Sequence, residues 1–545
     1  MSASCEPILM SMRTRDGVRL DADVYRPEGA GPFPVLLMRQ PYGRRIASTV
    51  TFAHPSWYAR HGYLVVIQDV RGRGSSEGEF EPFVHEQADG ADTIEWVAKL
   101  PDSNGRVGMY GFSYQGITQL YAAASHHPAL KVIAPAMCGF HFDRDWAYEG
   151  GAFRLYNAMT WAAQLGAETA RRAGDHALFA QRYRLGHGPD QHELVDPAAP
   201  AVRELLACTF YDGWLDSPPG SGYWRERSPG NLRPVPNLPA LHVGGWFDSF
   251  FTGTMAAFAH YRRGGAPQRL VVGPWTHLPW TPAVGAAWLG PQAQSDIDAL
   301  QLRWFDRFLK DHDNGVDREP PVRLFDLRAG AWRDFDDFPA PTPTRLHLAS
   351  DGRAALDSEA GRLQPEPGAA ARDMLVNDPW RPVPTLGGHL APSPGIQDRT
   401  AIDARPDVAT YTTAPLTEPL QLAGAVSVVL DAGADADSFD LCAVLSVVGS
   451  DGRARNLTQG YCRVTGTSGQ QRLDLRGTCA LIQPGERLRL SVSGSCYPAY
   501  ALNDGSGRAP GAVRAADYRI LTLRLAPERS WIELPCLPAG HPDAA

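Results

Sequence analysis

Short apolar runs alternate with helix-forming segments through the first part of the chain. Val18 to Tyr25 alternates apolar and polar residues as a half-buried antiparallel strand does. Pro34 to Met38 (PVLLM) and Leu64 to Ile67 (LVVI) are continuous apolar runs, the form of strands covered on both faces. Ala91 to Leu100 predicts an amphipathic helix, Val107 to Tyr110 a strand, Ile117 to Ala124 a helix free of Pro and Gly, and Lys131 to Pro135 another buried strand. Alternation of this kind predicts a largely parallel α/β sheet.

From about Gly139 to Val235 the buried strands give way to aromatics, polar turns and Ala-rich helical stretches such as Asn157 to Arg172. The strand and helix pattern then resumes: Ala240 to Val243, Phe251 to Arg263, Arg269 to Val272, Ser295 to Lys310 and Val322 to Phe325. The simplest reading is a helical insertion in one α/β domain, placed after a strand's C-terminal end as a lid over the active site. Beyond Pro339, short β-type runs (425–430, 441–448, 461–464, 487–492, 518–525) alternate with turn residues at spacings typical of a sandwich. Asp351-Gly352 and Asp451-Gly452 are hairpin-type dipeptides. The expected division is 1–138 and 236–340 for the two parts of the α/β domain, 139–235 for the helical lid and 341–545 for a jelly-roll-like β-sandwich.

The stretch RVGMYGFSYQGITQLYAAAS, Arg106 to Ser125, carries the chemistry. A strand turning sharply into a helix lifts the intervening side chain out of the sheet and aims a helix N-terminus at whatever that side chain attacks. Ser113 sits in that turn, although the second glycine of G-x-S-x-G falls one place late, at Gly116. The literal pattern occurs at Gly74-Ser-Ser76-Glu-Gly78, but it runs into Glu79-Phe-Glu-Pro82 with no helix following. Context favours Ser113. An elbow serine needs a base, and the base needs a partner that fixes its tautomer. In the order Ser, Asp, His, two later strand ends supply them: Gly244-Gly-Trp-Phe-Asp248 and Gly273-Pro-Trp-Thr-His277. The architecture this predicts is an α/β-hydrolase fold with an inserted helical lid, followed by a C-terminal jelly-roll β-sandwich. Metal chemistry is the rival, but His192-Glu193 has no second His at H-E-x-x-H spacing and no C-x-x-C is present.

Composition narrows the partners. The 545 residues carry a net charge of −8 with pI about 6.1 and no basic cluster, which argues against nucleic acid. The eight cysteines are scattered, the first residues lack a basic and apolar leader, and no apolar run reaches membrane-spanning length. A soluble cytoplasmic protein is the expectation, with no membrane partner.

Gly111-Phe-Ser-Tyr-Gln-Gly116, the loop Gln68-Asp-Val-Arg-Gly-Arg-Gly-Ser-Ser-Glu-Gly78, Gly244-Gly-Trp-Phe-Asp248 and Val272-Gly-Pro-Trp-Thr-His277 together resemble the CocE/NonD hydrolases, relatives of X-Pro dipeptidyl-peptidases and α-amino-acid ester hydrolases. That family's elbow is G-x-S-Y-x-G, which accounts for the late glycine. The resemblance implies that Tyr42, in Arg39-Gln-Pro-Tyr42, supplies one half of an oxyanion hole and the backbone N–H of Tyr114 the other. Two such donors contribute roughly 3 kcal/mol each. Read alone, Tyr42 is ordinary turn chemistry. The resemblance also implies that Trp146, Trp161 and Phe250 line the acyl pocket, where the plain reading is core packing. It further suggests that Pro384 to Leu390 borders the pocket, and that Asp69, Arg71 and Ser76 are structural. Asp248 is followed by Ser249, Phe250 and Phe251 rather than by the extra carboxylates with which α-amino-acid ester hydrolases hold a substrate ammonium.

The function expected is a serine hydrolase cleaving carboxylic esters or amides through an acyl-enzyme on Ser113, with His277 as base and Asp248 orienting it. An amidase or peptidase of the X-Pro dipeptidyl-peptidase or β-lactam acylase type is the alternative, and an inactive carbohydrate-binding protein a more distant one. The expected partner is a small-molecule ester or amide. No metal or organic cofactor is implied, and a homodimer is left open.

Overall fold

β1 (Ile8–Arg13) and β2 (Arg19–Tyr25) pair antiparallel at one edge of the first sheet. There follow β3 (Phe33–Gln40), α1 (Pro55–Arg60), β4 (Leu64–Asp69), α2 (Glu86–Ala98), β5 (Ser103–Phe112), α3 (Tyr114–Ala124) and β6 (Leu130–Ala136). The insertion brings α4 (Phe142–Asp145), a short hairpin of β7 (Tyr148–Glu149) and β8 (Ala152–Phe153), and then α5 (Leu155–Arg172), α6 (His176–His187), α7 (Gln191–Val195), α8 (Pro200–Leu205), α9 (Tyr211–Asp216) and α10 (Gly222–Arg227). The sheet resumes with β9 (Ala240–Phe247), α11 (Phe251–Arg262), β10 (Gln268–Thr276) and α12 (Ile297–Leu309). This computed structural model describes residues 6–278 and 280–538, so Cys5, the first residues and the outermost end of the last expected span lie outside it.

The strand order is β1-β2-β4-β3-β5-β6-β9-β10, continued by Val322–Asp326 and Ala331–Phe335. From β4 through Val322–Asp326 every neighbouring pair is parallel, while β2 joins β4 antiparallel. β4 and β9 are buried at every residue because helices cover both faces, which is why they read as unbroken apolar runs. α2 begins at Glu86, five residues before its amphipathic pattern. A Cβ on Gly90 would stand 3.4 Å from Arg39 Nη1 and 3.5 Å from Ala122 Cβ, so close packing against neighbours sets this turn where propensity does not.

Beyond residue 340 the described strands form an eleven-stranded arrangement. All its ladders are antiparallel except Gly361–Gln364 beside Val408–Thr412. Leu422, Val428, Leu441, Leu445, Leu490 and Ile532 face one core, which continues into the first sheet through Trp246, Phe247 and Phe251. The expected strands are present but longer, as in Leu420–Ala434 and Ala454–Thr465, whereas 518–525 shortens to Leu521–Leu525. Ser468–Ile482, which pairs along Leu420–Ala434, escapes the apolar pattern because its first half is half-exposed and polar. Asp451-Gly452 does turn between two paired strands; Asp351-Gly352 instead lies in the longer loop joining Thr344–Ala349 to Gly361–Gln364.

The lid, the first sheet and the sandwich meet at Glu149. Its carboxylate takes Nε and Nη2 of Arg154 at 3.1 and 2.6 Å, His389 Nε2 at 2.8 Å and Arg476 Nη2 at 3.4 Å. Burial alone would raise this carboxyl; the surrounding cationic and N–H groups outweigh it and hold the group well below the usual range. The same guanidiniums clamp the loop after β9: Arg476 donates to the carbonyls of Asp248 at 2.7 Å and Ser249 at 3.0 Å, and Arg154 to Ser249 at 3.0 Å and Asp145 at 2.9 Å. Arg476→Met leaves the Asp248 carbonyl without its donor, the Ser249 carbonyl with Arg154 alone, and a buried carboxylate with one guanidinium fewer. A stability loss of roughly 3 kcal/mol is expected, read as a lower urea midpoint; an unchanged midpoint would show that the clamp contributes nothing.

Candidate active site

β5 passes into α3 through a sharp turn. Gly111 has φ +147°, and a Cβ there would lie 2.4 Å from Gln115 Cβ. Ser113 takes φ 58° and ψ −121°, a conformation that costs a non-glycine residue about 1–3 kcal/mol. The late glycine has a packing reason. A Cβ on Gly116 would stand 2.9 Å from Cys138 Cβ and 3.1 Å from the Ala136 carbonyl, so α3 crosses the end of β6 with no room for a side chain. The Tyr114 side chain is buried beneath the turn: its hydroxyl donates to Glu86 at 2.8 Å and its ring stacks on Phe83 at 5.1 Å. Glu86 in turn takes Arg39 Nη1 at 2.8 Å.

At the ends of β9 and β10 stand Asp248 and His277. His277 Nδ1 lies 2.7 Å from Asp248 Oδ1 and Nε2 lies 3.1 Å from Ser113 Oγ. Asp248 is fully buried and acceptor-only, so His277 carries its proton on Nδ1 and presents a lone pair at Nε2 to the serine hydroxyl. An imidazole in that state can take the hydroxyl proton, and the carboxylate stabilises the resulting imidazolium. Phe112 and Phe250 flank the imidazole, with ring centroids at 4.6 and 4.8 Å.

Tyr42, just past β3, brings its phenol to Ser113 and accepts the indole N–H of Trp161 at 3.1 Å. Burial pushes the phenol up to about 12, so it remains a protonated donor near neutral pH. With one of its lone pairs taken by Trp161, its own proton is directed away from the indole. Tyr114 opens α3, a position whose backbone N–H has no acceptor within the helix. A phenol and an amide beside Ser113 suit an oxygen that gains charge there.

A cavity of about 590 Å³ opens over Ser113. Trp146 stacks on Phe250 at 4.1 Å and meets Trp161 edge-on at 5.3 Å. All three line the cavity, and Trp214 and Phe112, which sequence reasoning did not single out, join them. Ile46, Val50 and Leu278 form an exposed apolar rim. Asn157, Ser249 and His389 also line it, the last within the Pro384 to Leu390 segment. Among the described lining residues there is no Asp, Glu, Lys or Arg.

Other candidates lie elsewhere. Ser76 is fully buried, donating to the Asp69 carbonyl at 2.8 Å and accepting the Asp21 N–H at 2.9 Å, so it closes a turn. Asp69 accepts from Arg44, and Arg71 binds Asp89 and Asp16. Asp190, His192 and Glu193 converge at the N-terminus of α7, but Glu193 serves the capping box with Asp190 and pairs with Arg184.

A serine, an imidazole and a buried carboxylate at the C-terminal strand edge, under a helical insertion, define an α/β-hydrolase of the serine type. The description "X-Pro dipeptidyl-peptidase (S15 family)" matches residues 16–279, and "X-Pro dipeptidyl-peptidase C-terminal non-catalytic domain" matches residues 314–518. The chain is similar to the cocaine esterase of Rhodococcus sp. strain MB1, 35% identical over 469 residues that cover 83% of this chain and 81% of that protein. Its fold is that of an α-amino acid ester hydrolase, with TM-score 0.76 at 24% identity over 98% of both chains. It is likewise that of an aminopeptidase from a marine sediment archaeon, Thaumarchaeota archaeon, with TM-score 0.77 at 22% identity over 99% and 97% of the two chains. The chain belongs to this S15 family of CocE/NonD-type serine hydrolases.

Trp161→Phe keeps an aromatic ring in the cavity wall and removes the N–H that fixes the Tyr42 hydroxyl. Losing one hydrogen bond of about 1.4 kcal/mol lowers kcat about tenfold. Steady-state kinetics on a chromogenic ester should show that fall with KM within about twofold of wild type; a change confined to KM would make Trp161 a wall residue only.

Proposed function

We propose that the protein hydrolyses uncharged carboxylic esters with an apolar or aromatic acyl group, through an acyl-enzyme on Ser113. His277 accepts the Ser113 proton as Oγ attacks the carbonyl, then returns it to the leaving alcohol as the carbon–oxygen bond breaks. It next takes a proton from water, whose oxygen attacks the acyl-enzyme and frees the acid. Asp248 holds the Nδ1–H tautomer and stabilises the imidazolium, while Tyr42 and the Tyr114 N–H receive the oxyanion. Trp146, Trp161 and Phe250 hold the acyl group. In this reading residues 1–138 and 236–340 form the catalytic domain, 139–235 the lid and 341–545 the sandwich that braces the loop after Asp248.

The observation that carries the reading is the linear arrangement of Asp248, His277 and Ser113, at 2.7 and 3.1 Å, beneath an aromatic cavity with no ionised side chain among its described lining residues apart from any charge His277 takes up. The family names a second reading, a peptidase acting on X-Pro substrates. Such substrates present a free ammonium, but no carboxylate is among the described lining residues; behind the wall Asp248 is engaged by His277, and Glu149 is held by Arg154 and Arg476. This favours the ester. The seven described cysteines are all free, in keeping with a reducing cytoplasm, and among the described residues no helix is long and apolar enough to cross a membrane. Size-exclusion chromatography decides between a monomer and a homodimer.

Matched p-nitrophenyl ester and p-nitroanilide substrates test the reading. The ester should turn over far faster, and faster anilide turnover would shift the assignment to a peptidase. Ser113→Ala should cost on the order of 10⁴ to 10⁶ in kcat, and intact-mass analysis should find one fluorophosphonate adduct on wild type and none on the variant.

A further inference from the structure

The imidazole of His277 stands inside a row of aromatic rings. Trp161 meets Trp146 edge-on at 5.3 Å, Trp146 stacks on Phe250 at 4.1 Å, and Phe250 meets the imidazole at 4.8 Å. Beyond the imidazole the row continues through Phe112, at 4.6 Å, to Trp280, a further 6.3 Å on. His277 thus divides it. The rings on the lid side are those that the ester-hydrolase reading gives to the acyl group. On the other side Trp280 packs against Phe52 at 6.2 Å and its indole N–H donates to the Thr51 carbonyl, so the segment after His277 is tied to the loop that follows Tyr42. Those two segments bring Ile46, Val50 and Leu278 to the mouth of the cavity.

These three aliphatic side chains are 74%, 56% and 59% exposed. Large apolar side chains grouped in water at the edge of a cavity mark a surface that an apolar group covers. The polar lining residues do not change the character of this side. Thr276 spends its hydroxyl proton on the Leu278 carbonyl at 2.8 Å, the Thr51 hydroxyl oxygen is buried, and Gln115 Oε1 accepts the Phe112 N–H at 3.1 Å. Asn157, Thr160, Gln164 and Ser249 belong to the lid and to the loop after β9. Arg44 and Arg45, in the same loop as Ile46, turn to Asp23 and Asp69 and are not among the described lining residues. The chemistry assigns the occupant. Once Ser113 Oγ has added to an ester, four groups surround the former carbonyl carbon: Oγ, the oxyanion, the acyl chain and the alcohol oxygen. In the ester-hydrolase reading the oxyanion faces Tyr42 and the Tyr114 N–H, and the acyl chain lies among the lid aromatics. His277 Nε2 has to reach the alcohol oxygen to protonate it, which leaves the alcohol the side of the imidazole away from the lid.

We infer that Ile46, Val50 and Leu278 form the alcohol subsite of the cavity, and that the substrate is the ester of an apolar alcohol of several carbons rather than of methanol, a polyol or a cationic amino alcohol. The inference rests on the ester-hydrolase reading for calling the occupant an alcohol; the apolar character of the subsite does not depend on it. The alcohol has left once the acyl-enzyme forms, so its contacts act on kcat/KM, which reports acylation, and not on deacylation.

Two measurements on the full-length protein test it. In the first, kcat/KM is compared by pH-stat across the phenylacetate esters of methanol, butanol, hexanol, glycerol and choline. It should rise about thirtyfold from methyl to hexyl, about twofold for each methylene that the rim half-covers, and the glycerol and choline esters should fall below the butyl ester. Ile46→Ser combined with Val50→Ser, at two exposed positions, should cut the methyl-to-hexyl rise to below about fivefold, while the ratio of methyl phenylacetate to methyl acetate, which reads the lid side, keeps its wild-type value. A purely structural effect of the substitutions would lower every ester alike and leave both ratios intact. In the second, calorimetric titration of the Ser113→Ala protein with methyl and hexyl phenylacetate should show the hexyl ester binding at least about fivefold more tightly. The subsite is overturned if the wild-type rise from methyl to hexyl stays below about fivefold, if the full rise survives in the double variant, or if the glycerol or choline ester is the best substrate. Tighter hexyl binding without turnover of any ester would uphold the apolar subsite and sink the esterase reading; ester turnover indifferent to the alcohol would do the reverse. The wild-type series decides the matter even if the double variant does not fold.

Discussion

The buried carboxylate of Glu149 is the point on which the rest of the site depends. Taking such a charge out of water costs several kcal/mol, and only well-placed partners offset that cost. Its partners come from two places, Arg154 from the lid and Arg476 and His389 from the sandwich, so the ion cluster exists only when the layers are assembled. The guanidinium fork has donors to spare. Arg476 uses them on the Asp248 and Ser249 carbonyls, which makes a charge in the lid the reason the loop bearing the carboxylate partner of His277 is rigid. The β-rich segment is on this account a brace for the catalytic loop and a wall of its cavity.

A second buried ion pair does the same for the nucleophile. Ser113 occupies a costly backbone conformation, and such strain persists only where the surroundings over-determine it. Gly116 against Cys138 fixes the approach of α3 to β6, and the Tyr114 hydroxyl is tied to Glu86, itself paired with Arg39. Arg39 belongs to β3 and Tyr42 follows three residues later, so one network sets both donors proposed for the oxyanion: the Tyr114 amide through its own side chain, and the Tyr42 phenol through the strand end beneath it. The tyrosine after the nucleophile thus has a structural reason that does not concern substrate at all.

What the sequence disclosed follows from how local each signal is. Strands buried on both faces, such as Leu64–Asp69, leave an unbroken apolar run that survives without tertiary context. The turn at Ser113 was legible because a strand, two glycines and a helix are contiguous, and Ser76 could be set aside because no helix follows it. Ser468–Ile482 was not legible: half of it is an exposed polar ladder whose strand identity comes from pairing with Leu420–Ala434. Trp214 and Asn157 carried no signal either, since a lid residue's role is decided by which wall it meets across some hundred residues of chain. His389 was visible only as part of a loop near the pocket, because its meaning lies in a carboxylate 240 positions away.

The two buried ion pairs also explain why the cavity between them is free of charged side chains among its described lining residues. Charges that shape the site are paired behind the wall, with Glu86 against Arg39 on one side and Glu149 against Arg154 and Arg476 on the other. What faces the cavity is aromatic surface and a few oriented dipoles. A fixed donor buried among aromatic rings is less screened by water, so the Tyr42 phenol, held beside Trp161, would count for more toward the proposed oxyanion than it would in the open. The same lining disfavours a charged substrate: an ionised group would find no counter-charge among the described lining residues. On the proposed mechanism, selection against charge and stabilisation of a transient oxyanion would follow from one arrangement, in which the ion pairs lie behind the wall and the reacting oxygen becomes negative inside a cavity whose described lining holds no Asp, Glu, Lys or Arg.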